Sequence, residues 1–139
     1  MIILDTNVVS ELMKPRPATE VVEWMAGHPA ASLYTTSITQ AEILHGLKLL
    51  PHGRRRNALE AAAMSMFAED FGDRILGFGT DAAPTYAQIA SDRRRRGRPI
   101  SQFDAQIAAI AGVAGAAIAT RNVADFDGCG VTILDPWRP

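Results

Sequence analysis

Ile2, Ile3 and Leu4 form a short apolar run that ends without a spacer in Asp5, Thr6 and Asn7. A strand that is apolar at every position is buried on both faces, which is the habit of parallel sheets. A carboxylate abutting such a strand costs free energy unless it is paired. It also stands where open α/β folds put their sites, at the carboxyl edge of the sheet. The run predicts both an architecture and a place to look for chemistry.

The remainder of the chain alternates as that architecture requires. Further strands are predicted over 32–36, 74–78, 116–119 and 131–134. Helices are predicted over 8–13, 19–25, 38–50, 54 to about 71, 81–96 and 101–113. Ile38, Ala41, Ile43, Leu44, Leu47 and Leu50 recur at helical spacing, and Pro51, Gly53, Gly97 and Pro99 interrupt the pattern. Strands separated by helices imply an α/β fold: a central parallel sheet of four to five strands with helices on both faces. The 139 residues suit one domain, 1–139, and no repeat or linker divides them.

Composition narrows the function classes. The formal net charge is -1, so bulk charge does not draw this chain to nucleic acid. Cys129 is the sole cysteine, which excludes an intrachain disulfide and a cysteine-based zinc site. His28, His45 and His52 form no metal pattern. No basic segment precedes the first apolar run, and the small-residue tract 107–119 is too short to span a bilayer. The expectation is a soluble, cytoplasmic protein with no membrane partner.

Four acids stand out by position. Asp5 ends the first strand, Glu42 opens the helix after the second, Asp104 opens the helix after Ser101, and Asp125 follows the fourth strand. Strand ends and the starts of following helices share one edge of a parallel sheet, so all four can converge. Each also has a structural reading. Ser101 with Asp104, Thr39 with Glu42, and Ser37 with Gln40 match capping boxes, and Asp125 fits a turn. Clustered carboxylates repel, and one becomes protonated unless a cation intervenes. An oxygen-only ligand set suits Mg²⁺ or Mn²⁺, whose natural chemistry here is phosphodiester hydrolysis. Thr6, Asn7, Thr120 and Asn122 are placed to orient such a site, or else to cap helices and form turns.

L-D-T-N at 4–7, S-x-x-x-x-E at 37–42, D-A-Q-I-A at 104–108 and A-T-R-N-x-x-D-F at 119–126 together resemble PIN-domain ribonucleases, specifically VapC-type toxins of the FitB-like branch. Each motif is weak alone; their order and spacing over the whole chain carry the resemblance. It implies a three-layer α/β/α fold and a Mg²⁺- or Mn²⁺-dependent endoribonuclease, the toxin of a type II toxin–antitoxin pair. Asp5, Glu42 and Asp104 match the three family acids. Some family members carry an acid at the position of Asn122; here Asp125 is taken as the fourth catalytic and metal-binding acid, with Asn122 supporting it. The resemblance further implies a homodimer, an RNA substrate, a VapB-type antitoxin that blocks the acidic site, and operator DNA bound only through that antitoxin.

Two basic runs remain. Arg93 to Arg96 with Arg98 end a helix, where positive charge complements the dipole; Arg93, Arg96 and Arg98 are also candidates to line an RNA path. Arg54, Arg55 and Arg56 open a helix, where they call for an acidic or phosphate partner. Trp24, Trp137, Met64, Met66 and Phe67 read as core or dimer surface. A phosphatase using Asp5 as nucleophile is disfavoured by Asn7, which stands where a second Asp would protonate the leaving group. A nucleotide-binding module is disfavoured by the lack of a Gly-rich loop after the first strand. A non-catalytic interaction module with this fold would have lost a central acid, and none of the first three is missing.

Overall fold

The computed structural model describes residues 1–139. Five strands, all parallel, lie in the order β3-β2-β1-β4-β5. They are β1 (Ile2–Leu4), β2 (Leu33–Thr36), β3 (Ile75–Leu76), β4 (Ala117–Ala119) and β5 (Ile133–Leu134). Six α-helices connect them: α1 (Thr6–Leu12), α2 (Thr19–Ala26), α3 (Ser37–Lys48), α4 (Arg54–Ser65), α5 (Ala82–Arg95) and α6 (Gln102–Ala114).

Side-chain alternation divides the sheet between two cores. Ile3 and Ile118 face α5 and α6, where Ile89, Ile107, Ile110 and Phe126 complete one cluster. Leu4, Leu33 and Ala119 face the other way, toward Val8 and Val9 of α1, Val21 of α2, Ile43 and Leu47 of α3, and Ala63 of α4. The result is the expected three-layer arrangement. Burying Ile3, Leu4, Ile107 and Ile118 completely contributes roughly 2 kcal/mol for each side chain.

The helix α6 is buried over most of its circumference because its residues are small. Ala105, Ala108, Ala109 and Ala111 are all buried. At Gly112 a Cβ would stand only 3.4 Å from Thr85 Cγ2, so glycine permits the close approach of α5. Gly115 ends α6 in the left-handed conformation, φ 64°, and Ala116 N–H then reaches back to the Ala111 carbonyl at 2.9 Å.

The expected elements differ from the observed ones mainly at their ends. The predicted helix over 54–71 is α4 followed by a π-helical stretch, Met66–Phe71, closed by Gly72 N–H donating to Phe67 O at 3.1 Å. This wider turn brings both Phe67 and Phe71 into the core. The strands over 74–78 and 131–134 shorten to two residues each, those in register with Thr35–Thr36 and with Ile118–Ala119.

Topology places the site. The chain runs outward from β1 to β2 and β3, then returns to set β4 on the other side of β1. The strand order therefore reverses between β1 and β4, where a crevice opens at the carboxyl ends. Asp5 and Thr120 are the residues immediately beyond those two ends.

Candidate functional site

Asp5 extends the ladder by one step, its N–H donating to Ala119 O at 2.9 Å. It occupies the N-cap of α1, yet its carboxylate makes no capping bond. Thr120 claims it instead: Thr120 Oγ1 donates to Asp5 Oδ2 at 2.8 Å. Asn7 Nδ2 donates to Thr120 Oγ1 at 3.1 Å and reaches Asp5 Oδ2 at 3.4 Å. The backbone beyond β4 is drawn into the same network. Arg121 N–H donates to Asn7 Oδ1 at 3.2 Å, and Asn122 N–H donates to Thr120 Oγ1 at 3.1 Å. Asn7 and Thr120 thus hydrogen-bond to the Asp5 carboxylate and to each other.

Glu42 arrives on the first turns of α3. The N-cap of that helix is Thr36, whose Oγ1 accepts from Thr39 N–H at 3.1 Å. The capping boxes read at Ser37 and Thr39 are not the ones used, and Glu42 is left free of any capping role. Thr6 Oγ1 donates to Glu42 Oε1 at 3.0 Å and lies 3.0 Å from Thr39 Oγ1. Thr6 has one hydroxyl proton, so with it on Glu42 the Thr39 hydroxyl is the donor of the second bond. Asp104 lies in the first turn of α6, where Ser101 Oγ caps its N–H at 3.1 Å. Its carboxylate takes no return bond from the Ser101 backbone N–H, so half of the expected capping box forms.

Asp5, Glu42 and Asp104 line one concavity of about 410 Å³, together with Thr6, Asn7 and Asn122. The carboxyls of all three acids are raised from their ordinary values. Burial pushes Asp5 up to about 6, against the Thr120 hydroxyl and the Thr6 amide, and the charges of Asp104 and Glu42 push the same way. Burial also raises Glu42, with the Thr6 hydroxyl opposing and the Asp104 charge adding. Asp104 is raised first by burial and further by Asp125, while the Ser101 bond and the charge of Arg93 lower it.

Asp125 does not join the other three. It lies exposed on a 3-10 turn, Val123–Phe126, and lines an adjoining concavity of about 510 Å³. Its charge nonetheless reaches Asp104. Asn122, not Asp125, lines the acidic concavity.

The expectation that Arg93 lines an RNA path is corrected. Arg93 is 5% exposed, and its guanidinium is consumed by the protein's own backbone. Its Nε donates to Arg98 O at 2.8 Å, and its Nη1 to Asp125 O at 2.8 Å and Asp127 O at 2.9 Å. It fastens the turn carrying Asp125 to the segment that leads into α6. Arg96 and Arg98 are exposed but do not line the acidic concavity, and Arg98 pairs with Asp127 at 3.0 Å. In the other basic run, Arg56 pairs with Glu60 at 2.8 Å, which supplies the acidic partner one turn along the helix.

Sequence reasoning missed Glu11, Lys14 and Arg121 as lining residues, and treated Trp137 as core or dimer surface. Glu11 is buried and accepts from Lys14 Nζ at 2.9 Å and from Ala18 N–H at 3.0 Å, tying α1 to the start of α2. A lone carboxylate three residues after Val8 on a short buried helix was the available signal. Nothing local in sequence signals that the chain's last residues fold back over the site.

The donor set fits a hard divalent cation. No Lys or Arg forms an ion pair with Asp5, Glu42 or Asp104, so the three carboxylates of this concavity lack an ion-pair partner. The acids line one concavity, but no three of them stand close enough together to ligate one ion directly. An ion that keeps part of its hydration shell suits such a site, as Mg²⁺ does.

A family model described as PIN domain matches residues 2–127. The chain belongs to the PIN-domain family. Its PIN fold is similar over the full length to VapC ribonuclease Y4jK of Sinorhizobium fredii, 36% identical over 139 residues, which are 100% of this chain and 99% of the relative. Toxin FitB of Neisseria gonorrhoeae is 36% identical over 138 residues, 99% of each chain. The structure of FitAB bound to an IR36 DNA fragment superposes with a TM-score of 0.92 at 36% identity, covering 99% of this chain and 96% of the other. No helix of this PIN domain is long and apolar enough to cross a membrane.

Proposed function

We propose that this PIN domain is the toxin of a type II toxin–antitoxin pair: a Mg²⁺- or Mn²⁺-dependent endoribonuclease that hydrolyses RNA phosphodiester bonds in the cytoplasm. The observation that carries the reading is the set of three raised carboxylates without a cation partner, at the sheet's switch point. Support comes from the full-length similarity to a protein named a VapC ribonuclease.

Asp5, Glu42 and Asp104 would hold the ion. When bound, it would neutralise these acids and the charge that develops on phosphorus, and make water a better nucleophile. Thr120 and Asn7 fix the Asp5 carboxylate, and Thr6 fixes Glu42, so the acids need little rearrangement. Asp125 acts on Asp104 through its charge, and Asn122 offers a neutral amide at the rim. In-line attack of water with the 3′-oxygen leaving would give 5′-phosphate and 3′-hydroxyl ends. The phosphatase alternative finds no proton donor at Asn7, whose amide is committed to Asp5, Thr120 and Arg121.

The partners proposed are a VapB-type antitoxin, a second copy of this chain, and operator DNA reached only through the antitoxin. The FitB similarity and the DNA-bound FitAB structure support the antitoxin assignment. Exposed Phe103, Val113 and Met64 are available apolar surface for such contacts. Melting the protein with and without Mn²⁺ tests the reading. Mn²⁺ should raise the melting temperature of wild type, and Asp104→Asn should blunt that rise. No rise in wild type, with no RNA cut when Mn²⁺ is present, would sink it.

A further inference from the structure

The acidic concavity repels the substrate proposed for it, since RNA brings further negative charge. Only Lys14 and Arg121 supply cations to its lining, and Lys14 is paired with Glu11. Arg121 is the one lining cation without a carboxylate partner. Its guanidinium carbon stands 5.1 Å from the centre of the Trp137 ring. Arg121, Asn122 and Trp137 line both the acidic concavity and the adjoining one of about 510 Å³, where Arg138 adds a second positive charge beside the carboxylates of Asp125 and Asp135. The two hollows therefore share a wall, where a guanidinium lies over an indole.

This junction is built, not incidental. Arg121 follows Thr120, whose hydroxyl holds Asp5, and its own N–H is fixed by Asn7 Oδ1. Trp137 is set by a turn after β5: its N–H donates to Asp135 Oδ1 at 2.9 Å, and Arg138 N–H donates to Asp135 O at 3.1 Å. The indole is half-buried against the core that holds Val8 and Leu4, so part of it faces the hollows. Single-stranded RNA is gripped by this pairing of chemistry, with bases stacked on aromatic rings or guanidinium planes and phosphates met by cations.

We infer that the Arg121–Trp137 pair is a nucleotide-binding platform, which seats one unpaired base of single-stranded RNA beside the acidic site and leads the strand across the adjoining hollow. The inference rests on the ribonuclease reading of that site. It assigns the RNA path to the carboxyl-terminal turn and not to the arginine run at the end of α5.

The test uses the Asp5→Asn protein, in which cleavage is blocked, and a fluorescein-labelled single-stranded RNA of mixed sequence, read by anisotropy. Trp137→Ala in that background should weaken binding ~10-fold, and Trp137→Phe should retain most of the affinity. Arg121→Gln should weaken binding and lower the salt dependence by about 0.7 in log–log slope, the value for one phosphate contact on a single strand. Arg121 is exposed, so this variant keeps the test decisive if Trp137→Ala fails to fold. RNA affinity unchanged in both Arg121→Gln and Trp137→Phe,Arg121→Gln proteins would give the surface to a protein contact and overturn the inference. If wild type still cut RNA with Mn²⁺, the ribonuclease reading would stand without the platform; if it cut none while binding still depended on Arg121, the platform would stand without the ribonuclease.

Discussion

Replacing Asp5 with Asn should stabilise the metal-free protein. Asp5 is 4% exposed, and its carboxyl is raised from an ordinary value of 3.8 to about 6. Each tenfold change in proton affinity is ~1.36 kcal/mol, so ionised Asp5 costs the folded state about 3 kcal/mol. The sign follows from proton counting. Between pH 3.8 and about 6 the folded protein binds more protons at Asp5 than the unfolded chain, so stability falls as pH rises through this window and levels off above it. Asn removes the charge and can still accept from Thr120 through its carbonyl oxygen. At pH 7.5 in EDTA, Asp5→Asn should melt roughly 10 °C above wild type, taking ~4 °C per kcal/mol for a chain of this size. At pH 3.5 the two should coincide. Urea or thermal unfolding of both proteins across this range measures it. A variant no more stable than wild type at pH 7.5, or one equally stabilised at pH 3.5, would refute the electrostatic account of the site.

Other perturbations separate the roles of the supporting residues. Thr120→Val removes a bond that lowers Asp5, so carboxyl NMR should find Asp5 titrating above about 6. Thr6→Val frees Glu42 from its donor; Mn²⁺ affinity by calorimetry should fall ~10- to 100-fold, as for other residues that hold a metal ligand. Arg93→Met should cost about 3 kcal/mol in urea unfolding, because the Arg98, Asp125 and Asp127 carbonyls lose a shared donor. Arg93→Lys should not restore it, since one ammonium lacks the fork that reaches all three.

Much of this was legible from residue pattern. Ile2-Ile3-Leu4 without alternation gave away the central strand, and the pairing of Leu4 with Ala119 explains why Asp5 and Thr120 meet. Asp5, Glu42 and Asp104 were legible because a parallel sheet collects strand ends and helix starts on one edge. What stayed hidden depends on how segments fold back. The choice between Asn122 and Asp125 turns on a 3-10 turn of four residues, which presents Asn122 to the acids and Asp125 to the neighbouring hollow. Arg93 reads in sequence as a helix-end charge or an RNA contact because the segment it binds, 125–129, is distant in sequence. Trp137 sits beyond the last strand, and only the turn at Asp135 returns it to the site.

If the three carboxylates make a metal-dependent ribonuclease, RNA cleavage should need both the ion and the acids. Mapping the ends of RNA incubated with purified protein tests it directly, with Mn²⁺ or EDTA and with Asp104→Asn alongside. Wild type should cut only when Mn²⁺ is present, each cut leaving a 5′-phosphate and a 3′-hydroxyl, and Asp104→Asn should cut nothing. Cuts that persist in EDTA, or that leave 2′,3′-cyclic phosphates, would contradict it.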